Sequence, residues 1–343
     1  MSRIVKWGIL GLGNIAYEFA KSFYNTNNAK LIAVASRSSD KLNTFKKDFK
    51  IKDEFLFSNY EELINNKEID IVYIALPNNL HYHWISKSLD IKKNIFVEKP
   101  SFINFEECKL VFEHKNFKEI FFGEGFMYRY HPQLLKVSEI INNKVIGNLI
   151  SMKSDFGKNL IYKKNFFGFL KKKIDKNKRH FNNELGGGVI FDQGCYPLSM
   201  SIFIASLIKD VNYEYFETKG IKKTYEFNDL DIESSIDIIF DKKFTSQISA
   251  SFKNNLGSKT VIIGDEGQII IKNSWNPNVG EIEVINNNQK KYNFKNVKSI
   301  YSLEIENISN DILENRREAS FPGVNKKEIF INSKLINEWA NEK

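Results

Sequence analysis

Two cysteines in 343 residues, Cys108 and Cys195, are too few for a disulfide framework and fit a reducing compartment. No uninterrupted apolar stretch is long enough to span a bilayer. The opening Met1-Ser2-Arg3-Ile4-Val5-Lys6-Trp7-Gly8 does not read as a secretory signal, because its apolar run is short and Gly11 and Asn14 follow at once. A cytoplasmic protein without membrane contact is the resulting expectation. The histidines, His81, His83, His114, His131 and His180, show no metal-ligand spacing with cysteines or carboxylates, so no metal is expected. Charge, by contrast, is plentiful: 50 basic against 42 acidic residues, a net +8. The bases are scattered, except for Lys171-Lys172-Lys173 through Lys176, Lys178 and Arg179. A nucleic-acid recognition motif is missing, so the excess reads as solvated surface rather than as a nucleic-acid face. The length suits two domains, each with its own core.

The first third alternates strand and helix. Ile4–Leu10, Leu31–Ala35, Ile69–Leu76, Asn94–Val97 and Glu119–Phe122 read as strands, with helices over Ile15–Phe23, Ser39–Phe49, Leu80–Leu89 and Phe105–His114 between them. Repeated βα units of this kind predict an α/β domain with a doubly wound parallel sheet. After Phe126 the rhythm changes. One helix over Gln133–Ile141 is followed by period-two segments at Ile150–Phe156, Ile232–Phe240, Phe244–Phe252, Thr260–Ile263, Gln268–Ile271 and Glu281–Ile285. A single strong helix from about Gly188 to Leu207 interrupts them. This predicts an α+β domain with a largely antiparallel open sheet. The tail, Tyr301–Glu314 and Lys326–Trp339, returns to helical spacing. The expected division is 1–126, 127–325, and a C-terminal helix over 326–343 that packs back on the body.

Gly11-x-Gly13-x-x-Ala16 closes the first strand and opens the first helix. Gly11 permits a tight turn, Gly13 a close approach of backbone to a pyrophosphate, and Ala16 close packing of helix on strand. Asn14 and Ile15 then begin a helix whose N-terminus presents N–H groups to an anion. An NAD site usually ends the second strand in Asp or Glu, whereas this chain has Ser36 and Arg37. A hydroxyl and a guanidinium suit a ribose 2′-phosphate, which favours NADP(H) over NAD(H). Should Arg37 only stack over adenine or face solvent, both cofactors fit.

Two further stretches complete the pattern. Ala75-Leu76-Pro77-Asn78-Asn79-Leu80-His81 leads on to Val97-Glu98-Lys99-Pro100, and Gly186-Gly187-Gly188-Val189-Ile190-Phe191-Asp192-Gln193-Gly194-Cys195-Tyr196 follows later. With the glycine loop, these resemble the Gfo/Idh/MocA (glucose-fructose oxidoreductase / inositol dehydrogenase) family over nearly the whole chain. Glu124-Gly125-Phe126-Met127-Tyr128-Arg129-Tyr130-His131-Pro132 resembles the exit from the Rossmann domain in D-xylose and dihydrodiol dehydrogenases. Many members carry His where this chain has Tyr196, and it follows the branch with Tyr.

The resemblance implies a set of roles. Lys99 would point at the substrate hydroxyl or carbonyl, with Pro100 as a cis-proline that aims it. Tyr196 would be the proton donor or acceptor, tuned by Lys99, since a phenol with a reference pKa of about 10 needs a nearby cation. Asp192 would bind substrate or position Lys99. Leu76, Pro77 and Asn78 would approach the nicotinamide ribose. His81 is placed with them, although a histidine at a helix start also caps or packs. Glu98 and Glu124 at strand ends are candidates for the nicotinamide amide or ribose. Tyr128 and Arg129 are candidates for the substrate cleft, where an interdomain salt bridge explains Arg129 equally well. Arg179 stands where sugar-acting members place a substrate-facing arginine.

The implied activity is hydride transfer between NADP(H) and a carbon of a sugar, keto-sugar or related polyol. Two alternatives remain open: a dinucleotide-binding sensor without turnover, and a trans-dihydrodiol or aldose dehydrogenase. The resemblance also implies a homodimer or homotetramer joined through an exposed sheet face, with Phe, Ile and Tyr forming an apolar patch.

Overall fold

The computed structural model describes residues 3–342 apart from 166–167, 172–173, 176–177, 228, 277–278 and 296. Lys172, Lys173 and Lys176 of the basic cluster therefore lie outside the described residues. The chain divides into two compact units: residues 1–130 with 298–330, and residues 131–297 with 331–343.

In the first unit, apolar runs with no polar face become strands covered on both sides. These are β1 (Val5–Leu10), β2 (Ala29–Ala35), β3 (Leu56–Phe57), β4 (Ile71–Ile74), β5 (Asn94–Glu98) and β6 (Phe122–Gly125). They pair in parallel in the order β3-β2-β1-β4-β5-β6. The order reverses between β1 and β4, the switch point at whose carboxyl edge such sheets bind ligands. The edge strand β3 and the helix Tyr60–Asn65 are too short to show a period in the sequence. Trp7 is the hub of the aromatic core, edge-on to Phe23 at 5.8 Å and to Phe96 at 5.9 Å, and Tyr73 stacks on Phe19 at 4.0 Å.

The expected second domain, 127–325, is corrected at both ends. Residues 298–330 belong to the first unit. Helix Ile300–Leu313 buries Ile305 and Ile308 there, and Ser309 Oγ accepts the Trp7 indole N–H at 3.0 Å. A buried indole N–H needs an acceptor, and a helix from the far end of the chain supplies it. The last helix, Lys326–Asn341, is shared: residues to Phe330 go with the first unit and those from Ile331 with the second.

The second unit contains β7 (Leu149–Gly157), the hairpin β8 (Tyr162–Asn165) and β9 (Gly168–Lys171), then β10 (Phe216–Glu226), β11 (Leu230–Phe240), β12 (Phe244–Ser251), β13 (Thr260–Gly264), β14 (Gly267–Ile271), β15 (Gly280–Ile285) and β16 (Gln289–Phe294). Eight of these form one sheet, β10-β11-β12-β7-β13-β14-β15-β16, antiparallel except where β12 meets β7. The polar β10 and β16 are strands that hydrophobic alternation does not mark. On β11, Ile232, Ile236, Ile238 and Phe240 are buried, whereas Glu233, Ser235 and Asp237 face the other way. That second face is mostly polar, with Lys153, Gln247 and Asp237 in register across three strands. The apolar side chains on that face are interspersed among these polar ones: Tyr225 and Ile239 at one end, and Val261, Ile263, Ile270 and Ile285 at the other. Among the described residues, no helix is long and apolar enough to cross a membrane.

Candidate active site

The turn after β1 has the form that its glycines require. Gly11 has φ +87°, and a Cβ there would meet Leu76 Cδ2 at 2.6 Å and Ala75 O at 2.8 Å. Gly11 N–H donates to Ala35 O at 3.0 Å, which ties this turn to the end of β2. A Cβ on Gly13 would meet nothing within 4 Å, so the space above the helix start is open. Helix Asn14–Ser22 begins there without a side-chain cap, and Ala16 is fully buried against the sheet. Asn14 and Ile15 are exposed at this N-terminus.

A groove of about 390 Å³ runs along this edge, within the size of a small-molecule site. It is lined by Gly11 and Gly13, by Ser36, Arg37 and Lys41, and by Tyr60, Leu76 and Pro77 among others. Ser36 Oγ accepts Ser38 N–H at 3.1 Å, and Ser38 Oγ caps the helix Ser39–Phe49 by accepting Lys41 N–H at 3.4 Å. That cap places Lys41 in the first helical turn, beside Arg37. Open backbone over Gly13, uncapped helix N–H groups and two cations form a donor set suited to a phosphorylated dinucleotide.

Lys99 follows β5 at the same carboxyl edge and is 7% exposed. The Lys99–Pro100 peptide is cis. In the second unit, Asp192 stands on a π-helical turn, Ile190–Gly194, that runs into helix Cys195–Ser206. The continuous helix expected from Gly188 is thus split, and such π-turns are frequent at functional sites. Asp231 Oδ2 accepts Ile190 N–H at 2.8 Å at its start. Burial pushes the Asp231 carboxyl up to about 6. A Cβ on Gly188, at φ +107°, would meet Asp231 Oδ1 at 2.0 Å. Arg179 Nη2 donates to Asp192 Oδ1 at 2.7 Å. Tyr196 lies edge-on to Phe156 at 5.4 Å, with Trp275 at 5.8 Å.

The family models fall on both units. One, described as an oxidoreductase family with an NAD-binding Rossmann fold, matches residues 5–125. The other, the GFO/IDH/MocA C-terminal domain, matches residues 134–270. The chain belongs to the GFO/IDH/MocA family of oxidoreductases. It is 24% identical over 328 residues to trans-1,2-dihydrobenzene-1,2-diol dehydrogenase of Xenopus tropicalis, across 92% of this chain and 91% of that one. It is 29% identical over 208 residues to D-xylose 1-dehydrogenase (NADP(+)) of Hypocrea jecorina, across 57% and 51%. Among solved structures, aldose-aldose oxidoreductase from Caulobacter crescentus superposes with a TM-score of 0.83 at 18% identity, covering 98% of this chain and 97% of that one. KijD10, a 3-ketoreductase from Actinomadura kijaniata in complex with NADP and TDP-benzene, superposes at 0.81 and 18%, with the same coverage.

Within this GFO/IDH/MocA chain several site expectations are corrected. Arg129 is 1% exposed, donating to Pro322 O at 2.8 Å and to Glu328 Oε1 at 3.1 Å. Pro322 and Glu328 both lie in the first unit, and these contacts enclose the guanidinium there. Tyr128 is fully buried beside Phe126. His81 is fully buried too, Nδ1 lying 3.0 Å from Pro100 O and Nε2 2.9 Å from Leu76 O. It joins the turn after β4 to the turn of Lys99 instead of reaching the groove. Asn78 is 3% exposed. Glu98 accepts the Tyr73 hydroxyl on Oε1 and its neighbour Lys99 N–H on Oε2 at 3.3 Å. Glu124, 2% exposed, accepts Ser101 N–H at 2.7 Å. Burial and the Glu98 charge beside it hold the Tyr73 phenol well above its usual range.

Lys41, Tyr60 and Asp231 are the groups that motif reading passes over. Ser38 as an N-cap was the available signal for Lys41, since it sets which residues open the helix. Tyr60, edge-on to Trp84 at 5.1 Å, has no local signal.

Proposed function

We propose that the chain is an NADP(H)-dependent oxidoreductase acting on a sugar, keto-sugar or related polyol. The observation that carries the cofactor choice is the end of β2, where Ser36, Arg37 and Lys41 line the groove and Asp or Glu is missing. A carboxylate there would repel a 2′-phosphate, whereas two cations attract it. Relatives named as NADP(+)-dependent D-xylose dehydrogenase and as a ketoreductase crystallised with NADP support this reading.

When bound, the dinucleotide supplies or accepts hydride. In the reducing direction the Tyr196 hydroxyl gives its proton to the substrate oxygen, and in the oxidising direction the phenolate takes it back. The Lys99 ammonium holds the substrate oxygen and offsets the phenolate charge. Asp192 and Arg179 bind neighbouring hydroxyls, a carboxylate accepting and a guanidinium donating. Copies of the chain pair through the sheet face around Val261, Ile263 and Ile270. Sedimentation that finds a monomer at micromolar concentration rules that assembly out.

Steady-state rates with NADPH and a panel of keto-sugars test the chemistry. Lys99→Met and Tyr196→Phe are each expected to lower kcat by about 10²–10⁴-fold while NADPH binding changes little. Full rate in both variants would overturn the proton relay.

A further inference from the structure

The backbone that presents Lys99 is held at three consecutive residues. Lys99 N–H donates to Glu98 Oε2 at 3.3 Å, Pro100 O lies 3.0 Å from His81 Nδ1, and Ser101 N–H donates to Glu124 Oε1 at 2.7 Å. The last contact is the shortest, and its acceptor comes from the next strand. β6 pairs with β5 so that Glu124 lies opposite Val97 and Gly125 opposite Glu98. Glu124 thus reaches past the end of β5 into the turn that follows it.

A carboxyl in this place is expensive. It is 2% exposed, and Oε2 has no hydrogen-bond partner among the described residues. Desolvation pushes it up to about 7, against the Ser101 hydrogen bond, and the nearby Glu98 and Glu328 add to the rise. An apolar side chain of the same size would relieve that cost but would leave the buried Ser101 N–H without its acceptor. The hydrogen bond to that amide is the feature an apolar replacement could not reproduce.

We propose that Glu124 is a positioning residue for Lys99, fixing through Ser101 N–H the turn from which the ammonium reaches the substrate oxygen. The proposal rests on the role given to Lys99 above. Because the dinucleotide groove is lined by residues from other turns, Glu124 acts on turnover and not on cofactor binding.

The experiment compares Glu124→Leu, Glu124→Gln, Lys99→Met and the Lys99→Met/Glu124→Leu double variant, reading kcat and NADPH affinity separately. Misplacement of Lys99 by about 1 Å lowers kcat by about 10²-fold in Glu124→Leu, with NADPH affinity unchanged within about twofold. Glu124→Gln keeps an acceptor oxygen and recovers to within about threefold of the parent. The double variant is no slower than Lys99→Met alone, because the two residues act as one unit. Full rate in Glu124→Leu, or an equal further loss in the Lys99→Met background, overturns the positioning role. Full rate in Lys99→Met overturns the reading of the site itself, a separate outcome. If Glu124→Leu does not fold, hydrogen exchange in the parent decides: the Ser101 amide is strongly protected, and free exchange there overturns the proposal.

Discussion

Arg179 and Asp192, thirteen residues apart, form a 2.7 Å ion pair. Sequence motifs single out each of them separately as a substrate residue. The fold joins them, Arg179 from the short turn Arg179–Phe181 and Asp192 from the π-turn Ile190–Gly194. Their side chains are 34% and 20% exposed, so the pair is open to solvent and to a ligand.

A partly exposed pair contributes little to stability, about 1 kcal/mol or less. Arg179→Ala and Asp192→Asn are therefore expected to leave the melting temperature nearly unchanged. Each lowers kcat/KM for the sugar by about tenfold or more, as loss of a charged hydrogen bond does. Thermal unfolding beside steady-state kinetics checks this. A large loss of stability with kcat/KM intact would show a structural pair instead.

Arg37 separates the two cofactors. Arg37→Ala is expected to weaken NADP(H) by about tenfold or more, the value of a charge-assisted hydrogen bond to phosphate. NAD(H), which lacks the 2′-phosphate, changes by less than about twofold. Calorimetric titration of both with the same preparation measures the difference, and equal weakening would remove Arg37 from the 2′ site.

The Arg129–Glu328 pair is buried on both sides, at 2% and 4% side-chain exposure. Glu328→Gln leaves the guanidinium buried without its carboxylate, which costs about 3–5 kcal/mol. Denaturant unfolding should show that loss, while kcat at a permissive temperature stays near the parent value. A loss in turnover with stability unchanged would return Arg129 to the substrate cleft.

Glu124 gives stability a pH dependence of definite sign. Its pKa is raised from 4.5 to about 7 in the folded chain. Between those values the folded state keeps a proton that the unfolded state has lost, so its contribution is full below pH 4.5 and disappears as pH rises through 7. The slope over that window is about −1.4 kcal/mol per pH unit at most. His131, lowered by burial to about 4, works in the opposite direction up to 6.5. Comparing Glu124→Gln with the parent cancels it: the stability of the parent relative to the variant should fall steadily from pH 5 to 7 and level off above. A difference that does not vary with pH would mean that Glu124 is already ionised at pH 5.

Much of the site was legible because it is local. Gly11, Gly13 and Ala16 form their turn from neighbours in sequence, Ser36 and Arg37 end a strand, and Lys99-Pro100 adopts the cis peptide that the motif implies. The partners of His81, Arg129 and Glu124 were not legible, because type and position describe a side chain's reach but not what it meets. His81 is met by carbonyls of two different turns, and Arg129 by Glu328, 199 residues away. The polar strands β10 and β16 escaped because one edge neighbour and solvent leave little apolar periodicity to read.

From its own order of residues, the chain determined the alternation of strands and helices, the glycine turn at the first crossover and the kinds of group available for chemistry. All of these depend on backbone sterics and on period, which act over a few residues. Tertiary structure alone decided that helix Ile300–Leu313 closes over Trp7, which cations stay at a surface and which are buried, and which carboxyl holds the Lys99 turn. Those outcomes follow from desolvation: a buried polar group must find a partner, and the partner is whatever the fold brings within about 3 Å, however distant it is along the chain.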